Sequence, residues 1–428
     1  MNGIPVFFEA AEVGTIESGP DGPSFRYSPR WQRTPRAFDV SLTMPLDGGL
    51  YGPGVLVPWL LNLMPEGDPL RAVGRSLGVS TEDVVGLATR IGGETAGALS
   101  IGRPREGEHP GYRRIADAAA LERIIEELPR KPFLAGDDGV SMSLAGTQDK
   151  LPVAVDPAGP DLRVPLNGAA STHILKPDSD RLFGSVQNEA LCMVLARRAG
   201  LRAASVTTGT AGRRSYLLVE RFDRFPQAGT WRRSHQEDFC QALGLPPAAK
   251  YEHNQTGTRG PSLRDLTELS RARLTPRSTV ELVDAIVFNV LIANVDAHAK
   301  NYAISLPFRP GQPSLAALYD LMCGAAWDGI TQNQSQSIGG QRNGRHIHGR
   351  HWDRMAADCG LGAAAVRRRV RALARTVLDE TDAASREVEA MPAGGHAMLG
   401  QFADAIRRRA TTVLGNLEVD APGQADDG

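Results

Sequence analysis

Cysteine is scarce in this chain. Cys192, Cys240, Cys323 and Cys359 stand far apart and form no C-x-x-C pair. That spacing excludes a disulfide framework and a cysteine-based zinc site, and it predicts free thiols in a reducing compartment. Long apolar runs are also missing. The most apolar stretch, Ala285 to Ala293, is interrupted by Asn289 and is too short to cross a bilayer. Met1-Asn2-Gly3-Ile4-Pro5 has no basic n-region, so no signal peptide is expected and a cytoplasmic location follows. An excess of charge of either sign is absent, with a formal net charge of −1; nothing global marks a nucleic-acid binder, although a local basic face is compatible with that balance. No internal repeat is present. Hydrophobic residues at 41% and charged residues at 23% describe a globular chain, and 428 residues are enough for two or three domains or lobes.

The pattern along the chain predicts an α+β protein. Up to about residue 60, short β-like runs (Pro5 to Ala10, Phe38 to Leu42) are broken by Gly and Pro. Trp59, Leu60, Leu63 and Met64 then fall at helical spacing. Leu70 to Leu77 and Ser80 to Thr89 read as two short helices, the second capped by Ser80. A polar, turn-rich stretch at 104–111 suggests a boundary, and a helix is expected over Ala116 to Leu128. Strands follow at Leu151 to Val155, His173 to Lys176 and Ser215 to Glu220, around one helix from Val186 to Ala199 that stops at Gly200. After Arg233 the chain reads as mostly helical. The expected divisions are a small α/β N-terminal domain over 1–110, a β-rich lobe over 111–232, a helical lobe over 233–417 and a disordered tail over 418–428.

Against this background one stretch stands out: Asn294-Val295-Asp296-Ala297-His298-Ala299-Lys300-Asn301, followed by Leu318-Tyr319-Asp320. Phosphoryl transfer from ATP needs a carboxylate to take the proton of the attacking hydroxyl, and an Asn and a second Asp to hold magnesium. Asp296, Asn301 and Asp320 supply those groups in that order, with the D-x-x-x-x-N spacing of a kinase catalytic loop. His298 could contact phosphate or be a structural loop histidine. The turn Ser141 to Lys150 could bring backbone N–H groups and Lys150 to phosphate oxygens, or be an ordinary hairpin. Lys176 leaves an apolar strand, where it is either solvated or aimed at phosphates. Glu189 lies on the packed stripe of its helix and needs a cation, for which Lys176 is the evident partner. The strand Tyr216 to Asp223 could present backbone groups to an adenine edge.

Two further features compete for attention. His346, His348 and His351 form H-x-H-x-x-H, with no Cys or carboxylate motif to complete a zinc site. The helix around Val366 carries Val366, Val370, Leu373 and Val377 on one stripe, and Arg367, Arg368, Arg371 and Arg375 opposite. That face is either solvated or a contact for a phosphate backbone.

Taken in order, these motifs resemble the HipA family of serine/threonine-protein kinase toxins over almost the whole chain. The similarity is carried by Asn62 to Gly67, Gly93 to Leu99, Ser143 to Lys150, Thr172 to Pro177, Asn188-Glu189, Val219 to Asp223, Asp296 to Asn301 and Tyr319-Asp320. It implies a kinase-like β-rich lobe and a mainly helical lobe with the ATP site between. Asp296 would be the catalytic base and Asn301 and Asp320 the Mg²⁺ ligands. Ala145, Gly146, Thr147, Gln148, Asp149, Lys150, Lys176, Glu220, Arg221, Phe222, His298, Asn301, Tyr319 and Asp320 would line the ATP site. Ser143 matches a serine that the family autophosphorylates, which expels its loop and silences the kinase. The resemblance further implies an aminoacyl-tRNA synthetase target, notably the glutamyl enzyme, growth arrest as the outcome, and a helix-turn-helix antitoxin that binds operator DNA. Thr147 and Asp149 depart from the usual Ala and Glu, and the loop from Trp327 to Trp352 matches no family pattern. Two other classes fit parts of the sequence. One is a kinase-fold pseudoenzyme acting by binding, which an intact Lys176, Asp296, Asn301 and Asp320 argue against. The other is a small-molecule phosphotransferase, which usually carries H-x-D where this chain has Asn294 and Val295.

Overall fold

The structure, a computed structural model, describes residues 3–102, 109–155, 159 and 161–418. Most of the polar boundary expected at 104–111, and the tail beyond Glu418, lie outside the described residues. The chain divides into two compact units. One comprises residues 1–178, 209–247 and 303–316, the other 179–208, 248–302 and 317–428.

The first unit carries the large sheets. Leu50–Tyr51, Gly22–Tyr27, Ala11–Gly19, Ile4–Phe8 and Leu99–Ile101 lie side by side in that order, each pair antiparallel. A second sheet has the order Val206–Ala211, Arg214–Glu220, His173–Pro177, Leu151–Val155, Leu162–Leu166 and Gly111–Arg114. The stretch Phe38 to Leu42, expected as a strand, is instead a buried loop. Its backbone is satisfied by side chains and not by a neighbouring strand: Val40 N–H donates to the Tyr27 hydroxyl (2.7 Å), Leu42 N–H to Glu237 (2.7 Å), and His235 bonds the Val40 carbonyl (2.9 Å). The helix expected from Ser80 begins later, at Val84, because Asp83 caps it by accepting the Gly86 N–H.

The second unit is mainly helical. Ser185–Arg198 is buried on every side from Ser185 through Ala196 and packs on the long helix Ala363–Glu389. An all-round buried helix must satisfy its polar side chains internally, so Asn188 and Glu189 are structural commitments and not surface decoration. Gly200, at φ +82°, ends it in the left-handed conformation a glycine adopts without strain. Among the described residues five further helices follow: Leu263–Arg273, Pro276–Leu291, Gly349–Asp358, Ala363–Glu389 and Leu399–Glu418. The region after Arg233 is less helical than expected. His235–Asp238, Ala303–Leu306 and Ser314–Leu315 form a small sheet in the first unit, and Asn333–Ile338 pairs with Gln341–Asn343 in the second.

Candidate active site

The helix Pro276–Leu291 is buried along its whole C-terminal half, from Ala285 to Leu291. Asn289, the one polar interruption, builds the loop that follows. Its carbonyl accepts from Asn294 N–H (2.8 Å), and its side-chain oxygen accepts from the Asn294 amide (2.9 Å). Asn294 in turn accepts the Asp296 N–H (3.1 Å). Two buried amides thus set the turn that lifts Asp296 out. Its side chain is 62% exposed and accepts a hydrogen bond from the Tyr251 hydroxyl. The expected helix after this loop is replaced by a 3-10 turn, Ala299–Asn301, and the strand Ala303–Leu306.

The sequence-predicted groups of this unit come together. His298 N–H donates to the Asp296 carbonyl (2.8 Å), Asn301 N–H to the His298 carbonyl (2.9 Å), and the Asn301 amide to the Asp296 carbonyl (2.8 Å). The Tyr319 hydroxyl donates to the Lys300 carbonyl (2.5 Å), which ties the segment carrying Asp320 to this loop, and the Asp320 carboxylate acts electrostatically on His298. Asp320 sits at φ +57°, strained for a residue with a side chain. His298 is buried, and burial, aided by Lys250 and Lys300 and opposed by Asp320, holds its pKa well below the usual histidine range. It is therefore neutral. Its Nε2 lies 4.0 Å from Asp296 Oδ1, and its Nδ1 has no partner among the described residues. Tyr251 and Lys250 escaped the sequence reading. Tyr251 stands 45 residues before Asp296 with no motif around it.

The first unit holds the other predicted groups. Gly146, at φ +103°, lets the turn curl so closely around Lys150 that a Cβ there would lie 2.9 Å from Nζ, and Nζ donates to the Ala145 carbonyl (2.5 Å). The turn is laced to residues 63–94. Glu66 N–H donates to the Gly146 carbonyl (3.0 Å), Ser143 N–H to the Glu94 carbonyl (2.9 Å), and Gly93 N–H to Ser141 Oγ (2.9 Å). Ser143 itself is fully buried, its hydroxyl donating to the Leu63 carbonyl (2.6 Å). Thr147 is exposed, and Ala145, Gln148 and Asp149 are half-buried. Lys176 is buried at the end of its strand, and Glu189 is buried in its helix of the second unit.

At the predicted adenine edge, Glu220 is exposed and Phe222 half-buried. Arg221 is engaged inside the first unit. Its N–H donates to the Thr172 carbonyl (2.9 Å), and its guanidinium turns inward to Asp223 (2.7 Å) and Glu94 (3.1 Å), so neither is available to a nucleotide.

That inward turn belongs to a network the sequence did not announce. Glu94 also takes Arg224 (2.7 Å) and Arg233 (2.5 Å), while Asp223 takes Arg224 (3.0 Å) and the Gly97 N–H (2.7 Å). Burial alone would raise the Glu94 pKa, but Arg224, Arg233 and Arg221 pull it down to about 2. Two of the resemblance motifs, Gly93 to Leu99 and Val219 to Asp223, therefore meet in one buried cluster.

The remaining candidates separate. Arg367 pairs with Asp353 and Arg371 with Glu418, while Arg368 and Arg375 are exposed. Ala374 takes the buried place expected for Leu373. His351 Nδ1 accepts the His348 N–H (2.9 Å) and closes a helix cap. Among the described residues, no group of three or more His, Cys, Asp or Glu could hold a metal ion by itself.

Comparison with known proteins gives concordant matches. A family model described as HipA-like C-terminal domain matches residues 142–383, and one described as HipA N-terminal domain matches 4–102. The Sinorhizobium fredii protein Y4mE is 33% identical over 421 residues, 96% of this chain and 98% of that one. The serine/threonine-protein kinase toxin HipA of Shewanella oneidensis is 31% identical over 325 residues, 73% of this chain and 72% of that one. A solved structure of Shewanella oneidensis HipA with HipB and operator DNA superposes with a TM-score of 0.84 at 27% identity, covering 97% of this chain and 98% of that one.

Proposed function

Because the chain belongs to the HipA family of serine/threonine-protein kinase toxins, we propose that it transfers the γ-phosphoryl group of ATP to a serine or threonine of a protein target, with Asp296 as the base. The observation that carries this reading is the loop that gathers Asp296, His298 and Asn301 by its own hydrogen bonds, with the segment of Asp320 tied to it through Tyr319. Asp296 is the exposed carboxylate of the four, reachable by an incoming hydroxyl, and Tyr251 fixes its orientation. Neutral His298 adds no charge of its own to that proton transfer.

The donor set fits a magnesium ion that keeps most of its waters. Asn301 uses its amide N–H on the Asp296 carbonyl, which leaves the amide oxygen as an acceptor, and Asp320 adds a carboxylate in the same unit. Magnesium held by these two oxygens supplies charge compensation to the phosphates. The Gly146 curl with Lys150 suits phosphate oxygens in the same sense. Lys176, Glu220, Phe222 and Tyr319 complete the proposed ATP contacts, and Arg221 anchors the strand from within.

Self-phosphorylation on Ser143 belongs to this reading, and its burial gives the order of events. The hydroxyl must leave the Leu63 carbonyl before it can meet a phosphate. Once phosphorylated it carries nearly two charges and cannot return to a fully buried site, so the loop stays out and the kinase is silenced. An aminoacyl-tRNA synthetase target, with growth arrest as its outcome, and neutralisation by a HipB-like antitoxin rest on family membership. The solved HipA–HipB–operator DNA complex supports the antitoxin.

Incorporation of radiolabelled γ-phosphate tests the proposal. Asp296→Ala is expected to lose transfer by at least about a hundredfold while ATP binding, followed by calorimetry, persists. Undiminished transfer in that variant removes Asp296 from the role of base.

A further inference from the structure

Asp320 is suspended in a short span fixed at both ends. On one side, Leu318 N–H donates to the Arg202 carbonyl (2.8 Å) and Leu318 O accepts the Ala204 N–H (2.9 Å). On the other, Asn188 grips Cys323 twice. Its amide N–H donates to the Cys323 carbonyl (3.1 Å), and its amide oxygen accepts the Cys323 N–H (2.8 Å). Gly324 N–H adds a bond to the Ala293 carbonyl (3.0 Å). Asn188 is fully buried in Ser185–Arg198, so no water competes for these bonds.

A primary amide offers a donor and an acceptor side by side, and so it pairs with one residue's backbone as a neighbouring strand would. No other side chain of this length does both. Asp lacks the donor and buries a charge, Leu lacks both groups, and Ala removes both bonds from the buried Cys323 backbone. The left-handed backbone of Asp320 is a strained state that persists only where its surroundings hold it.

We propose that Asn188 is the positioning residue for Asp320: by clamping Cys323 it holds the carboxylate at the place where Mg·ATP is bound. This rests on the reading of Asp320 as a magnesium ligand. Asn188 touches neither metal nor nucleotide and acts through the span alone. Loss of the clamp is expected to weaken metal-dependent nucleotide binding more than it slows turnover, because added magnesium repopulates the bound geometry.

The test is calorimetric titration of the intact chain with a non-hydrolysable ATP analogue across a magnesium series, with turnover and melting temperature recorded beside it. Asn188→Ala is expected to raise the magnesium midpoint about tenfold, as loss of an outer-shell partner does, with a smaller fall in kcat at saturating magnesium. Asn188→Ser keeps one of the two bonds, should shift the midpoint less in the same sense, and carries the test if the alanine variant does not fold. Leu195→Ala loosens the same helix elsewhere and should lower the melting temperature without moving the midpoint. Asp320→Ala separates the two ideas. If its midpoint is unchanged, the magnesium reading fails and this inference falls with it. If Asp320→Ala shifts and the Asn188 variants do not, or if Leu195→Ala shifts as far as they do, the positioning role alone is overturned.

Discussion

Glu237 is a buried carboxylate with no cation beside it among the described residues. It accepts from Ser41 Oγ (2.6 Å) and Leu42 N–H (2.7 Å), and burial lifts its pKa to about 8, with Asp238 and Asp39 adding to the rise. The sign follows from linkage. A raised carboxylate pKa favours the proton in the folded state, so its stabilising effect is whole below the unfolded value, near 4.5, and is lost as pH climbs through about 8. Glu237→Gln copies the neutral acid. It should match the parent chain at low pH and outlast it above, the gap widening by up to about 1.4 kcal/mol per pH unit over that window. Unfolding midpoints from pH 5 to 9 decide this, and parallel curves for the two proteins would refute it.

Among elements, the turn from Ser141 to Lys150 is held shut by bonds to residues 63–94. Ser143→Ala removes one of them, which should cost about 1 kcal/mol by melting. It should leave a kinase that no longer silences itself on incubation with ATP. Peptide mapping should find phosphate on Ser143 in the parent chain and none in Asp296→Asn. Phosphate on Ser141 instead would move the site and spare the mechanism. The elements of the candidate site were legible because phosphoryl transfer restricts the residue types, and Asp296, Asn301 and Asp320 stand in that order and spacing along the chain. The element boundaries were less so. Phe38 to Leu42 has the composition of a strand, but Tyr27, His235 and Glu237 take its backbone bonds, and two of those three residues lie almost two hundred positions away. Tyr251 and the partners of Glu94 were invisible for the same reason. An ion pair across more than a hundred residues leaves no period and no motif to read.

For the molecule as a whole, the basic helix face is open to a test of DNA contact. Arg368 is exposed, whereas Arg371 is already paired with Glu418. Bound with a HipB-like antitoxin on operator DNA, the Arg368→Ala, Arg371→Ala double variant should flatten the slope of log affinity against log salt by about one unit, not two, because Arg371 has a carboxylate of its own to satisfy. Self-phosphorylation should be unchanged. An unaltered slope would mark the face as solvated only.

The Glu94 cluster also decides where this chain can be cut. The family matches fall at 4–102 and from 142 onward, which invites expression of the second piece alone. Such a fragment would keep Arg221, Arg224 and Arg233 but lose Glu94, leaving three guanidiniums around one carboxylate where the intact chain buries Glu94, Arg221 and Arg224. It would also strip Leu63 and Glu66 from the turn they pin. The boundary between the matches is a seam in the alphabet and not in the matter: the shorter chain should come out of cells as inclusion bodies, and the kinase should be handled from its first strand.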